Sequence, residues 1–314
     1  MAGSQKTAAV VYVKGAEMSS SSDKNQPSVF VLVLNWNGWR DTVKCIESLK
    51  SIAYPNYEIL VLDNASTNDS VARIREAHPD VTLIETGANL GFAGGNNVGI
   101  RYALDRGADY IWLLNNDTVV DCNALTALVE NAEADSKVGV IGSVIYDMHV
   151  PTRIQAWGGG RVDLWLGISR HFDGPISNEK IDYITGASFL VRSEVFRQIG
   201  LLDDCFFMYW EDADFCLRAR RAGWKISVAS TSKIFHKESA SVGQRSSRLD
   251  IYFNASAVTF FRRHAPVPIV PLVVGVGGRL LKRILVGDWK RVRAVLYGLR
   301  AGYMDSKNSQ EGSS

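Results

Sequence analysis

The feature that most constrains this chain is a repeated unit: a short apolar run that stops abruptly at polar side chains. Val29-Phe-Val-Leu-Val-Leu34 ends in Asn35-Trp-Asn-Gly38, and Glu58-Ile-Leu-Val-Leu62 ends in Asp63-Asn-Ala-Ser-Thr67. Val81-Thr-Leu-Ile84 leads to Gly87-Ala-Asn89, and Ile111-Trp-Leu-Leu114 ends in Asn115-Asn-Asp-Thr118. Runs that are apolar on both faces are the signature of central strands in a parallel sheet. Between them lie stretches of helical spacing: Asp41 to Ser51, Asp69 or Ser70 to Ala77, and Asn96 to Arg106. The βαβαβαβ order predicts an α/β fold with a Rossmann-like, doubly wound, mostly parallel sheet and helices on both faces. Right-handed crossovers then bring Asn35, Asp63 and Asn115 to Asp117 to one edge of the sheet. That is the carboxyl edge, where open α/β sheets bind ligands.

The second half is less regular. Cys122 to Ala134 reads as helix and Val138 to Ile141 as strand. Residues 150–180 read as loops or short antiparallel strands. Ser188 to Val191 is a strand before a helix at 193–199. The aromatic run Phe206 to Trp210 precedes a helix from Glu211 to Ala222, closed by Gly223. Lys225 to Ala229 and Ile234 to His236 read as two short strands, and Leu249 to His264 as a helix. Four segments result: a poorly ordered extension over 1–27, with strand-like composition at Ala8 to Val13, a main domain over 28–264, a basic amphipathic segment over 265–304, and a frayed polar tail from 305.

Charge and cysteine usage narrow the function. The formal net charge is +2, which carries no global bias toward nucleic acid. The distribution is uneven, because Arg262 to Arg300 holds nine Lys/Arg against one acidic residue, Asp288. Such a segment suits an acidic partner surface. Four scattered cysteines without a CxxC pair fit a reducing compartment. The N-terminus lacks a signal-peptide pattern, and no apolar run reaches the ~18–20 residues that span a bilayer. A cytoplasmic protein at the inner face of the cell membrane is the expectation.

Several polar residues stand where chemistry is expected. Mg²⁺ and Mn²⁺ take oxygen ligands, often one or two carboxylates plus phosphate oxygens. Asp117 at a strand end suits that role, with His236 as its second protein ligand. Asp63 suits a hydrogen bond from a pyrimidine N3–H or a ribose hydroxyl, and equally an Asx-type turn. Gly91, Gly94 and Gly95 lack the dinucleotide-binding spacing. They read instead as a flexible loop that brings Asn89, Asn96 and Asn97 to a ligand. Glu211 and Asp212 follow aromatic residues at a helix start. A carboxylate beside apolar rings can gain a raised pKa and act as a general base.

Together these stretches resemble family 2 glycosyltransferases of the GT-A fold, with bacterial rhamnosyltransferases the most similar subgroup. The resemblance rests on Val29 to Asn37, Val61-Leu-Asp-Asn-Ala-Ser66, Asn89 to Asn97, Leu114 to Thr118, Thr185-Gly-Ala187 and Trp210-Glu-Asp-Ala-Asp-Phe-Cys-Leu-Arg218 with Ala222-Gly-Trp224. It covers about residues 28–264. The resemblance implies an inverting transferase that moves a sugar, first choice rhamnose from dTDP-rhamnose, to a glycan or polyprenyl-linked saccharide. Asp63 would bind the base, with Asn35, Asn37, Asn89, Gly91, Asn96 and Asn116 around the nucleotide sugar. Asp117 and His236 would hold Mg²⁺ or Mn²⁺. Asp212 would be the base, with Glu211 beside it, and Thr185, Gly186, Ala187 and Trp210 would meet the acceptor. One departure stands out: the DxD motif position reads Asn115-Asn116-Asp117, which leaves a single carboxylate.

Other readings are a UDP-hexose transferase of the same fold and a non-catalytic carbohydrate-binding protein. A nucleotidyltransferase would need a Gly-rich basic loop after the first strand, and Asn35-Trp-Asn-Gly-Trp39 does not supply one. The basic C-terminal segment fits a helical hairpin packed on the domain, a dimer contact, or an anchor on anionic membrane.

Overall fold

The computed structural model describes residues 11–13, 26–237 and 246–311. The chain opens with β1 (Val11–Val13), β2 (Val29–Asn35), α1 (Trp39–Leu49), β3 (Tyr57–Asp63), α2 (Ser70–Ala77), β4 (Thr82–Glu85), α3 (Gly91–Asp105) and β5 (Tyr110–Asn115). It continues with β6 (Thr118–Val120), α4 (Ala124–Glu133), β7 (Val138–Asp147), β8 (Ile154–Trp157), β9 (Gly159–Asp163), β10 (Ile168–His171), β11 (Tyr183–Ile184) and β12 (Ser188–Arg192). Then come α5 (Ser193–Ile199), α6 (Glu211–Arg221), β13 (Lys225–His236), α7 (Ser247–His264), α8 (Ile269–Leu285) and α9 (Trp289–Glu311).

The main sheet runs β1-β4-β3-β2-β5-β12-β7-β13-β6, with β8 added on β7. Its first half is parallel, as the apolar runs predict: β4, β3, β2 and β5 pair in parallel. The second half is mixed. β12 enters antiparallel between β5 and β7, and β6 closes the edge antiparallel to β13. The three-residue β6 is too short to carry a periodic signal in the sequence. A second sheet, β10-β9-β11, stands apart.

Alternation along each strand sends side chains to two cores. Phe30 and Leu32 join one cluster with Leu60, Ile111 and Phe189. Val29, Val31 and Val33 join the other with Ile46, Trp112 and Leu128. Both faces are covered, which is why these strands read as unbroken apolar runs.

Several local expectations are corrected. Helix α1 starts at Trp39 after Gly38, two residues before the expected Asp41, which lies within its first turn. There Asp41 pairs with Lys237 at 3.0 Å, joining α1 to the end of β13. The glycine-rich stretch is not a flexible loop, because Gly91 to Asn97 forms the start of α3. The two short strands at 225–236 are one strand, broken by a register shift between Ala229 and Lys233. In the N-terminal extension, β1 pairs with β4, while residues 1–10 and 14–25 lie outside the described residues. The polar tail continues α9 to Glu311, and 312–314 lie outside the described residues.

The C-terminal segment is a helical hairpin packed on α7. Backbones of α7 and α9 meet closely at Gly298 and Gly302, where an added Cβ would stand 2.5 Å from Ile251 O and 2.4 Å from Ala255 O. No described helix is long and apolar enough to cross a membrane.

Candidate active site

Parallel register brings the polar strand ends together: Asn35 lies opposite Asp63, and Leu34 opposite Asn115. The first polar residues close the loops. Asn35 is fully buried, donates to Asp63 Oδ1 at 2.7 Å and accepts from Thr42 Oγ1 at 2.9 Å. Asp63 also accepts from Ser66 N at 2.9 Å and Ser66 Oγ at 2.7 Å. Asn37, left-handed at φ 57°, accepts from Thr67 N at 2.8 Å.

The cleft at this edge encloses about 620 Å³. Its wall carries the next residues along, Trp36 and Asn64, and not Asn35, Asn37 or Asp63. Asn64 shapes the opposite lip, donating to Gly91 O at 3.0 Å and Asn89 Oδ1 at 3.1 Å and accepting from Leu90 N at 3.0 Å. Asn89, Gly91 and Asn116 line the cleft. Asn96 points into the protein, its amide on Phe92 O at 2.9 Å, and Asn97 bonds Leu202. Gly91 is required by close approach. It has φ +73°, and a Cβ there would meet Phe207 O at 2.2 Å.

At the end of β5, Asp117 Oδ1 stands 3.1 Å from His236 Nε2. Gln155 decides the state of that histidine. Its Nε2 donates to His236 O at 3.0 Å, so its Oε1 faces His236 Nδ1 at 3.1 Å. Nδ1 must then carry a proton, and Nε2 faces the Asp117 carboxylate at 3.1 Å and the Asn115 amide at 3.3 Å. A ring nitrogen and a carboxylate oxygen at this distance share a proton or a cation. The donor set fits Mg²⁺ or Mn²⁺ in chemistry but is thin. Among the described residues no three His, Cys, Asp or Glu side chains converge. Further ligands would be phosphate oxygens and water. Arg248, from the first turn of α7, adds a positive charge to the same wall.

At the far side of the cleft, α6 begins after two left-handed residues, Tyr209 at φ 70° and Trp210 at φ 71°. Non-glycine residues there store backbone strain, which Trp210 offsets by packing among Phe253, Phe260 and Phe261. The turn aims Glu211 and Asp212 into the site. Asp212 Oδ2 accepts from Gly186 N at 3.0 Å, and Oδ1 from Ala213 N at 2.7 Å. Burial pushes its carboxyl up to about 6, against those backbone donors. Burial and the neighbouring Asp212 charge push Glu211 well above the carboxylate range. Glu211 Oε2 and Trp210 Nε1 are buried without a partner among the described residues. Buried polar atoms left open in this way mark a place for a ligand group.

A second cavity of about 300 Å³ lies behind, lined by Ser169, His171, Tyr183, Trp210 and Phe253. It shares Thr185, Tyr209, Glu211 and Asp212 with the first. Gly186 and Ala187 face only the larger cleft, and Trp210 only the smaller. On its other side, α6 is held by Asp214, which pairs with Arg218 and His264, each at 2.7 Å. The i,i+4 pair with Arg218 follows from the sequence, whereas His264 comes from 50 residues away.

Sequence reasoning missed Trp36, Asn64, Gln155, Arg248 and Tyr252. Asn64 was within reach, as the neighbour of Asp63 at a strand end. Gln155 and Arg248 carry no local signal, since only tertiary contacts bring them to the site.

Comparisons with known proteins identify the family and the fold. The low-salt glycan biosynthesis hexosyltransferase Agl10 of Haloferax volcanii is 25% identical over 81% of this chain and 84% of its own length. The N-acetylglucosaminyl-diphospho-decaprenol L-rhamnosyltransferase of Mycobacterium tuberculosis is 27% identical over 66% of this chain and 75% of that protein. The mannosyltransferase PcManGT from Pyrobaculum calidifontis, solved with GDP-Man and Mn²⁺, superposes at a TM-score of 0.58. It has 17% identity and covers 92% of this chain and 80% of that one, a likeness that establishes the GT-A fold. The sequence profile of glycosyl transferase family 2 matches residues 28–200, more than half of the chain, and the chain therefore belongs to that family of glycosyltransferases.

Proposed function

We propose that the protein is an inverting transferase that moves rhamnose from dTDP-rhamnose to a hydroxyl of a lipid-linked saccharide or glycan in polysaccharide assembly. The observation that carries the reading is the position of Asp212, on the wall common to two cavities of about 620 and 300 Å³. The larger cleft takes the nucleotide sugar, against Trp36, Asn89, Gly91 and Asn116. The smaller takes the acceptor ring, which stacks on Trp210 and Tyr183.

Asp117 and His236 would hold a divalent ion together with the donor diphosphate. When bound, that ion offsets the negative charge that grows on the departing nucleoside diphosphate. Arg248 adds to the same effect. Asp212 works on the other partner. Gly186 N–H and Ala213 N–H each occupy one lone pair of its oxygens, and the free lone pairs accept the acceptor's hydroxyl proton. As the proton leaves, the hydroxyl oxygen bonds to the anomeric carbon and the bond from that carbon to the diphosphate oxygen breaks. Attack opposite the leaving group inverts the centre, with no covalent enzyme intermediate. Burial and the Asp212 charge disfavour ionisation of Glu211, which limits negative charge beside the base.

Relatives whose names specify rhamnose support the donor choice. The second reading, a UDP-hexose donor, is favoured by the hexosyltransferase relative that spans most of the chain. The deciding experiment offers dTDP-rhamnose and UDP-hexoses with Mn²⁺ and a lipid-linked saccharide analogue. Release of dTDP with a glycosylated product of inverted configuration is the expected result. Turnover with UDP-hexoses alone selects the second reading. No turnover and no thermal stabilisation by any nucleotide sugar would overturn both, since a ligand at 100 times its Kd adds ~2.7 kcal/mol.

A further inference from the structure

Helix α8 is inverted relative to an ordinary surface helix. Such helices turn apolar side chains inward and charges outward. In α8 the inward face carries Arg279 and Arg283, beside the buried Pro271, Gly275 and Val276. Arg279 donates to Asn254 Oδ1 at 2.9 Å and Gly167 O at 3.1 Å. Arg283 pairs with the buried Asp250 of α7, which Arg291 of α9 also engages. The outward face is aliphatic: Ile269, Val273, Val274, Leu281, Ile284 and Leu285 are 43–76% exposed.

This surface is not scattered. Thirteen of the 17 exposed large apolar side chains among the described residues fall within 267–304, so the apolar surface is concentrated on the hairpin. Two more, Trp165 and Leu166, adjoin it, because Gly167 packs on the backbone of Pro271 and Gly275. Patches of this kind mark contact with an apolar phase or a partner. The border is basic, with Lys282, Lys290, Arg293 and Arg300 exposed and Asp288 as the one acidic residue of the segment.

We propose that this face docks on an anionic lipid bilayer, its aliphatic side chains in the headgroup–acyl boundary and its cations among the lipid headgroups. Charge complementarity selects this occupant over a second copy of the chain. A two-fold contact sets the same patch against itself, and so would bring like charges together around an apolar centre. Docking is monotopic, as no described helix is long and apolar enough to cross a membrane. The arrangement also bears on the acceptor, a consequence that rests on the function proposed above. Trp165 and Leu166 sit in the turn between β9 and β10, and Ser169 and His171 of β10 line the smaller cavity. A bilayer-held acceptor would approach that cavity along this hairpin.

Flotation of the full chain with vesicles of phosphatidylcholine, alone or mixed with phosphatidylglycerol, tests docking without reference to catalysis. Binding to the anionic vesicles that weakens with salt is the expected result. Lys282→Gln/Lys290→Gln/Arg293→Gln should lower partitioning roughly a hundredfold, at one lipid-facing charge lost in each. Leu281→Asp/Leu285→Asp should abolish partitioning while leaving the thermal midpoint and nucleotide-sugar binding unchanged. Equal recovery with and without vesicles would overturn the proposal. So would a solution dimer that dissociates in the Leu281→Asp/Leu285→Asp variant, since the face would then be covered by another copy.

Discussion

Asp212→Asn preserves the size of the side chain and leaves an oxygen to accept from Gly186 N–H, but removes the charge that takes a proton. General-base assistance contributes about 10²–10⁴ in rate, so kcat/KM should fall by about that factor while nucleotide binding stays nearly unchanged. The wild-type pH profile gives a second reading of the same residue. Burial raises the Asp212 carboxyl to about 6, opposed by hydrogen bonds from Gly186 and Ala213. A base works only when ionised, so activity is lost as pH falls through that value. The ionised fraction is about nine-tenths one unit above it and about a tenth one unit below. The logarithm of kcat/KM should therefore fall with a slope near one on the acid side. Burial and the Asp212 charge disfavour ionisation of Glu211, so the limb belongs to Asp212 and Glu211→Gln should leave it in place. The assay is initial-rate dTDP release from acid to neutral pH, with dTDP binding measured separately. An Asp212→Asn enzyme within tenfold of wild type, or one that keeps the same acid limb, would refute the base assignment.

Three further perturbations probe the scaffold. Gly91→Ala forces a left-handed alanine against Phe207 O and threatens the 2.7 Å hydrogen bond from Phe92 N to that carbonyl. Urea unfolding should show a loss of about 2–3 kcal/mol, with a raised donor KM. Gln155→Leu frees the His236 tautomer, and Mn²⁺ affinity in the presence of nucleoside diphosphate should weaken about 10–100-fold by titration calorimetry. Asp250→Ala strands Arg283 and Arg291, and chemical denaturation should report a loss of about 3 kcal/mol.

How much of this was legible in advance depends on the range of the forces involved. Strands β2, β3 and β5 were visible because burial on both faces writes an unbroken apolar run into the local sequence. Helix α6 was visible from its acidic first turn and from Gly223, which takes φ +92°. The site was legible in part. Asp117, His236, Glu211 and Asp212 carry chemistry by residue type, and all four meet in one cleft. Asn35, Asn37 and Asp63 share that sheet edge, where their side chains close the loops through Thr42, Ser66 and Thr67, a use that residue identity does not reveal.

By itself, the sequence determined the parallel half of the sheet, the edge at which the cleft opens, and the carboxylates that line it. Those are properties of apolar period and side-chain chemistry, which act over a few residues. Tertiary structure alone decided that β12 enters antiparallel beside β5, that Gln155 sets the proton on His236, and that α8 turns its arginines inward to Asp250 and Asn254. Each depends on partners 25 or more residues away, which the local pattern does not record.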